Sequence, residues 1–379
     1  MALILNEEQQ LLKDTAKEFV SNNAPINHFR EIRDSNDSLG YSKDIWKKMV
    51  DLGWAGILIP EEYGGSNFGM IGLGSVLEET GRCLVPSPLF STALLGVSLI
   101  ELGGNKGQKE ELLNKIAEGT LTTSFALEEG SHHSVNSIKT KAEKSRDGFI
   151  INGNKTFVLD GHSCDLIILA ARTSGNTKDK SGISLFLIDP KVKGVDIKRT
   201  HMVDSRNSSD IYFKDVEISS SDLLGELDGG LPIIEQVVER GQIGLSSEML
   251  GSTIEAFDRT LNYLKERKQF GVLIGSFQSL QHRAATMFAE IELVKSSVMG
   301  ALNAVDENSN DISRFASLAK FKSGETFKLV SSEAVQMHGG VGVTDEYDIG
   351  FFLKRSRVVE QIFGSSDYHI DRYAVLSEY

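Results

Sequence analysis

The segment VVEQIFGSSDYH, residues 358–369, holds carboxylates at a spacing that suits acid–base chemistry. Glu360 and Asp367 lie on either side of Gly364, and a carboxylate that reaches its substrate is a common general base. A capping role is also open for Asp367, because SSDYHIDRYAVL is typical of a helix start and aspartate is a preferred N-cap residue. Glu360 is expected on the preceding helix, which makes it the weaker of the two candidates.

The histidines and cysteines do not indicate a metal site or a disulfide. His132 and His133 lie in the polar segment SHHSVN, and no further ligand type stands at metal-binding spacing. We therefore expect a solvated loop there and no metal. Cys83 and Cys164 have no CxxC partner and are expected to be buried, reduced thiols. No GxGxxG follows a predicted strand, which argues against a Rossmann nucleotide site.

Length and charge narrow the possible classes of protein. The 379 residues exceed what one hydrophobic core usually holds, so two or three packed regions are expected. The formal net charge of −13 argues against nucleic acid or an anionic membrane as a partner. No apolar run reaches membrane-spanning length, and the first residues do not resemble a signal peptide. Together with reduced cysteines, these features predict a cytoplasmic protein.

Hydrophobic spacing divides the chain into three regions. Helical periodicity dominates residues 1–119, short runs of β-branched and aromatic residues fill residues 120–228, and helical periodicity returns over residues 229–379. The middle region is too short and too tightly turned for βαβ units, so its strands are expected to be antiparallel. The sequence therefore predicts an α+β multidomain chain with a helical N-terminal domain, a β middle domain and a helical C-terminal domain at these boundaries.

Local signals refine two of these regions. The pairs Asp147-Gly148 and Asn152-Gly153 are typical of tight turns and are expected to separate strands of the middle domain. No further proline follows Pro232 up to Lys268, so a single long helix is expected to open the C-terminal domain.

Four segments, in this order, resemble the acyl-CoA dehydrogenase family of flavoproteins. They are LGWAGILIPEEYGG (residues 52–65), IKTKAEKSRDGFIINGNKTFV (138–158), YLKERKQFGVLIGSFQSLQHRAATM (263–287) and AVQMHGGVGVTDEYDIGFFLKRSR (334–357). The resemblance spans nearly the whole chain. It implies a helical N-terminal domain, a β-barrel-like middle domain and a C-terminal four-helix bundle, in agreement with the layout read from hydrophobic spacing.

The resemblance also implies a reaction and its partners. In this family a carboxylate removes the α-proton of an acyl-CoA thioester and the β-hydrogen leaves as hydride to the flavin of FAD. FAD lies across a subunit interface, so a homo- or hetero-oligomer, a dimer or a tetramer, is implied. Electrons pass on to electron-transfer flavoprotein or a similar acceptor. The setting implied is acyl-CoA or fatty acid catabolism.

The half of the FAD site that a family member donates to its neighbour is intact. Arg267 matches the arginine that faces the pyrophosphate, a charge-assisted contact. Phe270 and Gln278 match positions that pack against or hydrogen-bond the cofactor. The remaining matches are Gln336, Gly339 and Gly340, where glycine lets backbone approach a ligand closely, and Ser366, which would serve a neighbour's FAD.

The half that receives the flavin ring departs from the family. The matching residues on the first flavin strand begin with Phe125 and Leu127, but Glu128 stands where the family has a threonine hydroxyl. On the next flavin strand Phe157 keeps the aromatic platform, whereas Leu159 replaces a second threonine. Each lost hydroxyl is worth about 1 kcal/mol, and a carboxylate near an anionic reduced flavin is unfavourable. Weakened anchoring of the ring is therefore expected.

The catalytic base of the family is missing. Gly364 falls where most members carry the glutamate, and a small residue there is expected to leave room for a carboxylate. Some members place the base on the first long helix of the C-terminal domain, and that position holds Gly241, followed by Gln242. Glu239 is two residues away, about 200° around the helix, and is otherwise a solvated or interface charge. Glu239 and Asp367 remain as weak candidates.

Three functional hypotheses follow. The chain is a homo-oligomeric dehydrogenase with a relocated base, or the degenerate partner subunit of a hetero-oligomer. The missing base and the altered flavin strands favour the second. A third hypothesis, from a different class, is a non-catalytic acyl-CoA-binding or scaffold protein of the same fold.

Overall fold

A computed structural model describes residues 4–379, which form two compact units. The sheet unit comprises residues 32–69 and 86–241, and the helical unit comprises residues 4–31, 70–85 and 242–379. The α+β fold class is confirmed, with helices in the first and last thirds of the chain and the sheet between them. The domain boundaries after residues 119 and 228 stay a prediction.

The regular elements follow the predicted order. The helices are α1 Glu7–Asn23, α2 Ile26–Asp34, α3 Lys43–Asp51, α4 Gly69–Arg82, a π-helix Leu89–Gly96, α5 Val97–Gly103, α6 Lys106–Ala117, α7 Gly230–Glu266, α8 Gln278–Asp306, α9 Ile312–His338, α10 Ile349–Val359 and α11 Ser366–Leu376. The strands are β1 Thr123–Ala126, β2 Lys141–Lys144, β3 Gly148–Leu159, β4 Leu166–Arg172, β5 Ile183–Ile188, β6 Val195–His201, β7 Asn207–Ser219, β8 Leu223–Leu224, β9 Lys268–Gln269 and β10 Val272–Leu273. The single long helix expected after residue 229 is confirmed as α7.

The main sheet has eight strands in the order β6-β7-β3-β2-β4-β5-β8, with β1 paired to β4. Most neighbours are antiparallel, as predicted, but β4 runs parallel to β2, through Lys141 and Arg172, and to β1, with Thr123 opposite Leu166. The chain passes through β2 and β3 before it returns beside β1, and such a long crossover is what a parallel pair requires. The rings of Phe149 and Phe186, 5.0 Å apart, lie in the sheet's apolar core.

The pair Asn152-Gly153 does not form the predicted turn. Both residues lie inside β3, where the pairing with β7 shifts register between Ile151 and Gly153. A Cβ on Gly153 would lie 2.6 Å from the Cα of Thr140, and its φ is +148°. Only glycine fits this close approach, so the signal that resembled a turn marks a β-bulge.

In the helical unit, α4 and α7 approach so closely that their backbones touch. A Cβ on Gly81 would lie 2.3 Å from the carbonyl oxygen of Glu248, and one on Gly251 would lie 1.7 Å from that of Glu78. Beside this contact, Arg355 on α10 donates through Nε to Glu248 Oε1 at 2.9 Å, and both side chains are buried. Glycine therefore sets the spacing of α4 and α7, and Glu248 on α7 forms a buried ion pair with α10 beside this contact.

In the sheet unit, a buried ammonium ties β3 to the end of β1. Lys155 Nζ donates to the carbonyl oxygen of Leu127 at 2.9 Å and to Glu129 Oε1 at 2.7 Å. The Lys155 side chain is fully buried and that of Glu129 is 6% exposed. Glu129 also accepts from the backbone N–H groups of Lys139 and Thr140 at 2.6 and 3.0 Å. Buried charges persist only when they are paired and hydrogen-bonded in this way.

The pair predicts a large loss of stability when one member is removed. Lys155→Met should lower the free energy of unfolding by about 3–5 kcal/mol, because Glu129 then remains as an unpaired buried carboxylate. Urea unfolding followed by circular dichroism measures the change. The double variant Lys155→Met/Glu129→Gln should recover part of the loss. Equal losses in the single and double variants would contradict this account.

Candidate active site

The strands expected to hold the flavin ring are joined in the sheet unit. Thr156 N–H donates to the carbonyl oxygen of Glu128 at 2.8 Å, which links β3 to the chain just after β1. Phe125 and Leu127 are buried and support this edge from within, whereas Phe157 is partly exposed. The five residues therefore place an aromatic surface beside the backbone of Glu128.

A bulge directs the aromatic platform. The pairing of β3 with β7 shifts register between Lys155 and Val158, and Phe157 lies in this bulge with a φ of +54°. A bulky residue in the left-handed region is strained, and such strain often marks a functional position. Leu159 follows on the same strand, partly exposed. A partly exposed ring on a fixed, strained backbone suits packing against a planar ligand.

Electrostatics at this edge depend on two neighbouring carboxylates. Burial would raise the pKa of Glu129, but the charge of Lys155 and the hydrogen bonds to the carboxylate outweigh it and hold that pKa below its usual range. Burial lowers the pKa of Lys155, and the charge of Glu129 opposes this effect. Glu129 and Lys155 therefore form a pair of opposite charges. Glu128 is the second carboxylate at this edge, and its partner must be sought elsewhere.

The expectation of a solvated loop is wrong for His133. Its side chain is 3% exposed, and its Nδ1 lies 2.5 Å from Glu128 Oε1. His132, by contrast, is exposed. The imidazole supplies the hydrogen-bond donor that a carboxylate largely withdrawn from water needs at position 128. Apart from the replacement of threonine by Glu128, nothing in the sequence pattern indicates the contact between Glu128 and His133.

The residues expected to hold the phosphates gather at one end of the helical unit. The ring of Tyr263 on α7 stacks on that of His338 at 4.3 Å, and its hydroxyl donates to the carbonyl oxygen of His338 at 3.2 Å. Arg267 follows Tyr263 by one helical turn, and Gly339 and Gly340 follow His338 directly. Burial lowers the pKa of His338, which favours the neutral ring in this stack.

The surface of this end is open to a ligand. Arg267, Gln278 and Gln336 are exposed, and Phe270 is 90% exposed at the tip of the β9–β10 hairpin, with a φ of +51°. A Cβ on Gly339 or Gly340 would meet no atom within 4 Å. An exposed guanidinium beside open backbone suits a phosphate group, so these residues fit the pyrophosphate end of FAD.

The position of the family's base is closed. Gly364 has a φ of +106°, and a Cβ there would lie 2.4 Å from Tyr368 Cδ1 and 3.0 Å from His369 Nε2. The prediction that glycine leaves room for a carboxylate is therefore wrong. The side chains that fill the space, Tyr368 and His369, come from the first turn of α11. The sequence pattern did not indicate that they would pack against Gly364.

The loop around this glycine is held by three buried side chains. Gln242 Nε2 donates to the carbonyl oxygen of Phe363 at 3.0 Å, and His369 Nε2 lies 3.0 Å from the same oxygen. Lys320 Nζ donates to the carbonyl oxygens of Glu360 and Gly364 at 3.0 and 3.2 Å. Burial lowers the pKa of Lys320 to about 7, against the opposing charge of Glu360. The structure therefore brings Gln242, the residue after the second base position, against the loop that carries the first.

The two weak candidates for a relocated base differ in their surroundings. Asp367 is exposed in the first turn of α11 and is not the cap, because Ser365 accepts from Tyr368 N–H as the N-cap. Glu239 on α7 is 8% exposed within the sheet unit, so the expectation of a solvated charge is wrong. Ser366, the hydroxyl expected to serve a neighbouring FAD, is buried on α11. Their catalytic or binding roles stay predictions.

Among residues 4–379, no group of three or more histidine, cysteine, aspartate or glutamate side chains is placed to hold a metal ion. Of the helices in the same range, none has the length and apolar character that a membrane span needs.

Known protein families match the chain along almost its full length. The model of the acyl-CoA dehydrogenase N-terminal domain matches residues 6–120, that of the middle domain matches residues 125–216, and that of the C-terminal domain matches residues 228–375.

Individual relatives are similar over nearly all of both chains. A probable acyl-CoA dehydrogenase of Bacillus subtilis, YngJ, is 31% identical over 370 residues, with 96% of each chain covered. The caffeyl-CoA reductase–Etf complex subunit CarC of Acetobacterium woodii is 30% identical over 371 residues, again with 96% of each covered. The structure of butyryl-CoA dehydrogenase from Megasphaera elsdenii matches with a TM-score of 0.91 at 25% identity, covering all of both chains.

The open end of the helical unit yields a prediction for Arg267. Arg267→Ala should weaken FAD binding by the assembled protein at least tenfold, because a charge-assisted contact to phosphate is lost. Its side chain is exposed, so the melting temperature should stay within about 2 °C of wild type. Flavin fluorescence on dilution measures the affinity. The neighbouring Lys265→Ala is the matched control. A fall in melting temperature with unchanged flavin affinity would contradict the assignment.

The closed base position yields a second prediction. Gly364→Ala should destabilise the protein by about 1–3 kcal/mol, because of its positive φ and the contact with Tyr368. Gly300→Ala is the control, since a Cβ there meets Phe315 at an ordinary 3.5 Å inside α8. Thermal unfolding compares the two. Gly364→Glu should give no gain of acyl-CoA oxidation, and a clear gain would show that the position is open after all.

Proposed function

Because this chain belongs to the acyl-CoA dehydrogenase family, we propose that it binds FAD and serves as the base-deficient partner subunit of a hetero-oligomeric acyl-CoA dehydrogenase. Members of the family are FAD-dependent oxidoreductases that act on CH–CH bonds. FAD, when bound, supplies the hydride acceptor. The chain's own residues must hold the cofactor, exclude water and position a proton acceptor.

The observation that carries the proposal is the closure of the Gly364 loop. A carboxylate cannot extend from position 364, since Tyr368 and His369 occupy the space in which its first atoms would lie. The second base position holds Gly241, which has no side chain, and the neighbouring Gln242 is engaged with the carbonyl oxygen of Phe363. General-base catalysis contributes about 10² to 10⁴ in rate, so a chain that lacks it at both positions depends on another subunit for turnover.

The cofactor-binding residues support retention of FAD. Arg267, Phe270 and Gln278 present one exposed surface, with Gln336, Gly339 and Gly340 beside it. This is the half-site that a family member offers to its neighbour's cofactor. The flavin-ring edge keeps its aromatic platform at Phe157 but replaces a threonine by Glu128. Such a subunit would complete the FAD site of its neighbour and would bind the flavin ring of its own FAD only weakly. These properties suit the partner subunit of a hetero-oligomer.

The family and the state of the cysteines also support an electron partner, a substrate class and a cellular compartment for this chain. The relative from Acetobacterium woodii is a subunit of an Etf complex, which supports electron-transfer flavoprotein as the electron partner of this chain. The substrate is an acyl-CoA thioester. Both cysteines are free thiols, and burial raises the pKa of Cys83 to about 11 and that of Cys164 to about 12. Unreactive free thiols support a reducing compartment such as the cytoplasm.

A homo-oligomer with a relocated base is the second candidate function. Glu239 favours it, because a carboxylate withdrawn from solvent on α7 is the nearest in sequence to the second base position. Asp367 is less suited, since it is exposed at a helix start.

The purified chain tests these functions. Alone, it should carry less than one FAD per chain after gel filtration and should oxidise acyl-CoA with an artificial electron acceptor only at background rates. Glu239→Gln and the control Asp367→Asn should both leave this background unchanged. Efficient oxidation by the chain alone that is lost in Glu239→Gln would establish the relocated base. Acyl-CoA binding without uptake of FAD at any concentration would indicate the non-catalytic alternative.

A further inference from the structure

The contact between Glu128 and His133 lies where the flavin ring is expected. Glu128 takes the place of a threonine that would hydrogen-bond the ring, and its backbone carbonyl accepts from Thr156, the residue before the partly exposed Phe157. Its side chain is 15% exposed. The carboxylate is thus withdrawn from bulk water yet lies at the edge that bears the aromatic platform.

Two carboxylates and one ammonium group lie at this edge, so one carboxylate is in excess. Lys155 is matched by Glu129, with which it shares a hydrogen bond of 2.7 Å. Glu128 has the imidazole of His133 at 2.5 Å, and that side chain is 3% exposed. The ammonium and the two carboxylates therefore sum to one net negative charge, and the imidazole contacts the carboxylate that Lys155 does not match. Charges in such a sheltered place are screened little by water or salt.

A negative charge beside a flavin opposes the addition of electrons. The two-electron reduced flavin is anionic near neutral pH, so a nearby carboxylate raises its free energy relative to the oxidised form. The threonine that Glu128 replaces is neutral. A hydrogen bond from His133 draws part of the carboxylate's charge away from the ring, so the imidazole moderates the effect.

We propose that the Glu128–His133 pair sets the midpoint potential of the bound flavin, with Glu128 lowering it and His133 moderating that effect. The inference rests on the proposed binding of FAD. It deepens that proposal by giving the site a preferred direction, which is the reduction of an α,β-unsaturated acyl thioester.

Atoms and electrons balance in this direction. Reduced FAD, when bound beside Glu128 and Phe157, would supply a hydride to the β-carbon, and a proton from solvent would add to the α-carbon, so the C=C bond would become a C–C single bond. The cofactor would then be oxidised by two electrons. A reduced electron-transfer protein of the flavoprotein class, the partner already proposed, returns those two electrons.

Potentiometric titration of the FAD-loaded protein against reference dyes, followed by the flavin absorbance, tests the pair. Glu128→Gln keeps an acceptor for His133 but removes the charge. It should raise the reduced-to-oxidised ratio at fixed potential at least tenfold, about 30 mV for a two-electron couple. His133→Gln should shift the ratio the opposite way, because the carboxylate then loses its imidazole partner. The double variant should resemble Glu128→Gln, since the histidine acts only through the carboxylate.

Glu143→Gln, which removes an exposed carboxylate of β2 in the same unit, is the matched control and should leave the potential unchanged. A potential in Glu128→Gln equal to that of wild type would overturn this inference while FAD binding stands. Equal shifts in Glu128→Gln and Glu143→Gln would also overturn it, since the effect would then be one of overall charge. If the chain takes up no FAD even at excess, this inference and the proposed function both fail.

Discussion

The ammonium group of Lys155, entirely removed from water, holds together the part of the sheet on which the rest of the site depends. Burying such a charge costs several kcal/mol unless it is paired, and Glu129 with the carbonyl of Leu127 supplies the pairing. Because these contacts run between β3 and the end of β1, they fix the neighbouring Glu128 and Phe157. The position of the aromatic platform relative to the carboxylate is therefore set by one buried ion pair.

In the helical unit, too, buried polar side chains fix the backbone, here in the loop around Gly364. There, Lys320 binds two backbone carbonyls of the loop that carries Gly364, and Gln242 and His369 bind the preceding carbonyl. Polar groups buried without partners are costly, so these side chains hold the loop in one arrangement. In the sheet unit buried polarity supports a ligand surface, whereas in this loop it closes a position that the family uses for catalysis.

The sequence was most informative where a pattern repeats. Helical spacing predicted the long helix α7 and its neighbours, and β-branched runs predicted the strands. It was least informative where one contact between distant residues decides the structure. The pair Asn152-Gly153 has the composition of a turn, yet the proximity of Thr140 makes it a bulge. The contact of His133 with Glu128 and the filling of the Gly364 space by Tyr368 depend on tertiary contacts that carry no periodic signal.

The backbone at Gly364 also bears on how this chain can change over evolutionary time. A mutation that returns glutamate to position 364 meets an unfavourable φ, the ring of Tyr368 and the imidazole of His369 together. A return to glutamate would therefore need compensating changes at Tyr368 or His369, so that these three positions are coupled in any evolutionary path. Such epistasis would make a mutation at position 364 costly unless the packing of α11 against this loop changes with it.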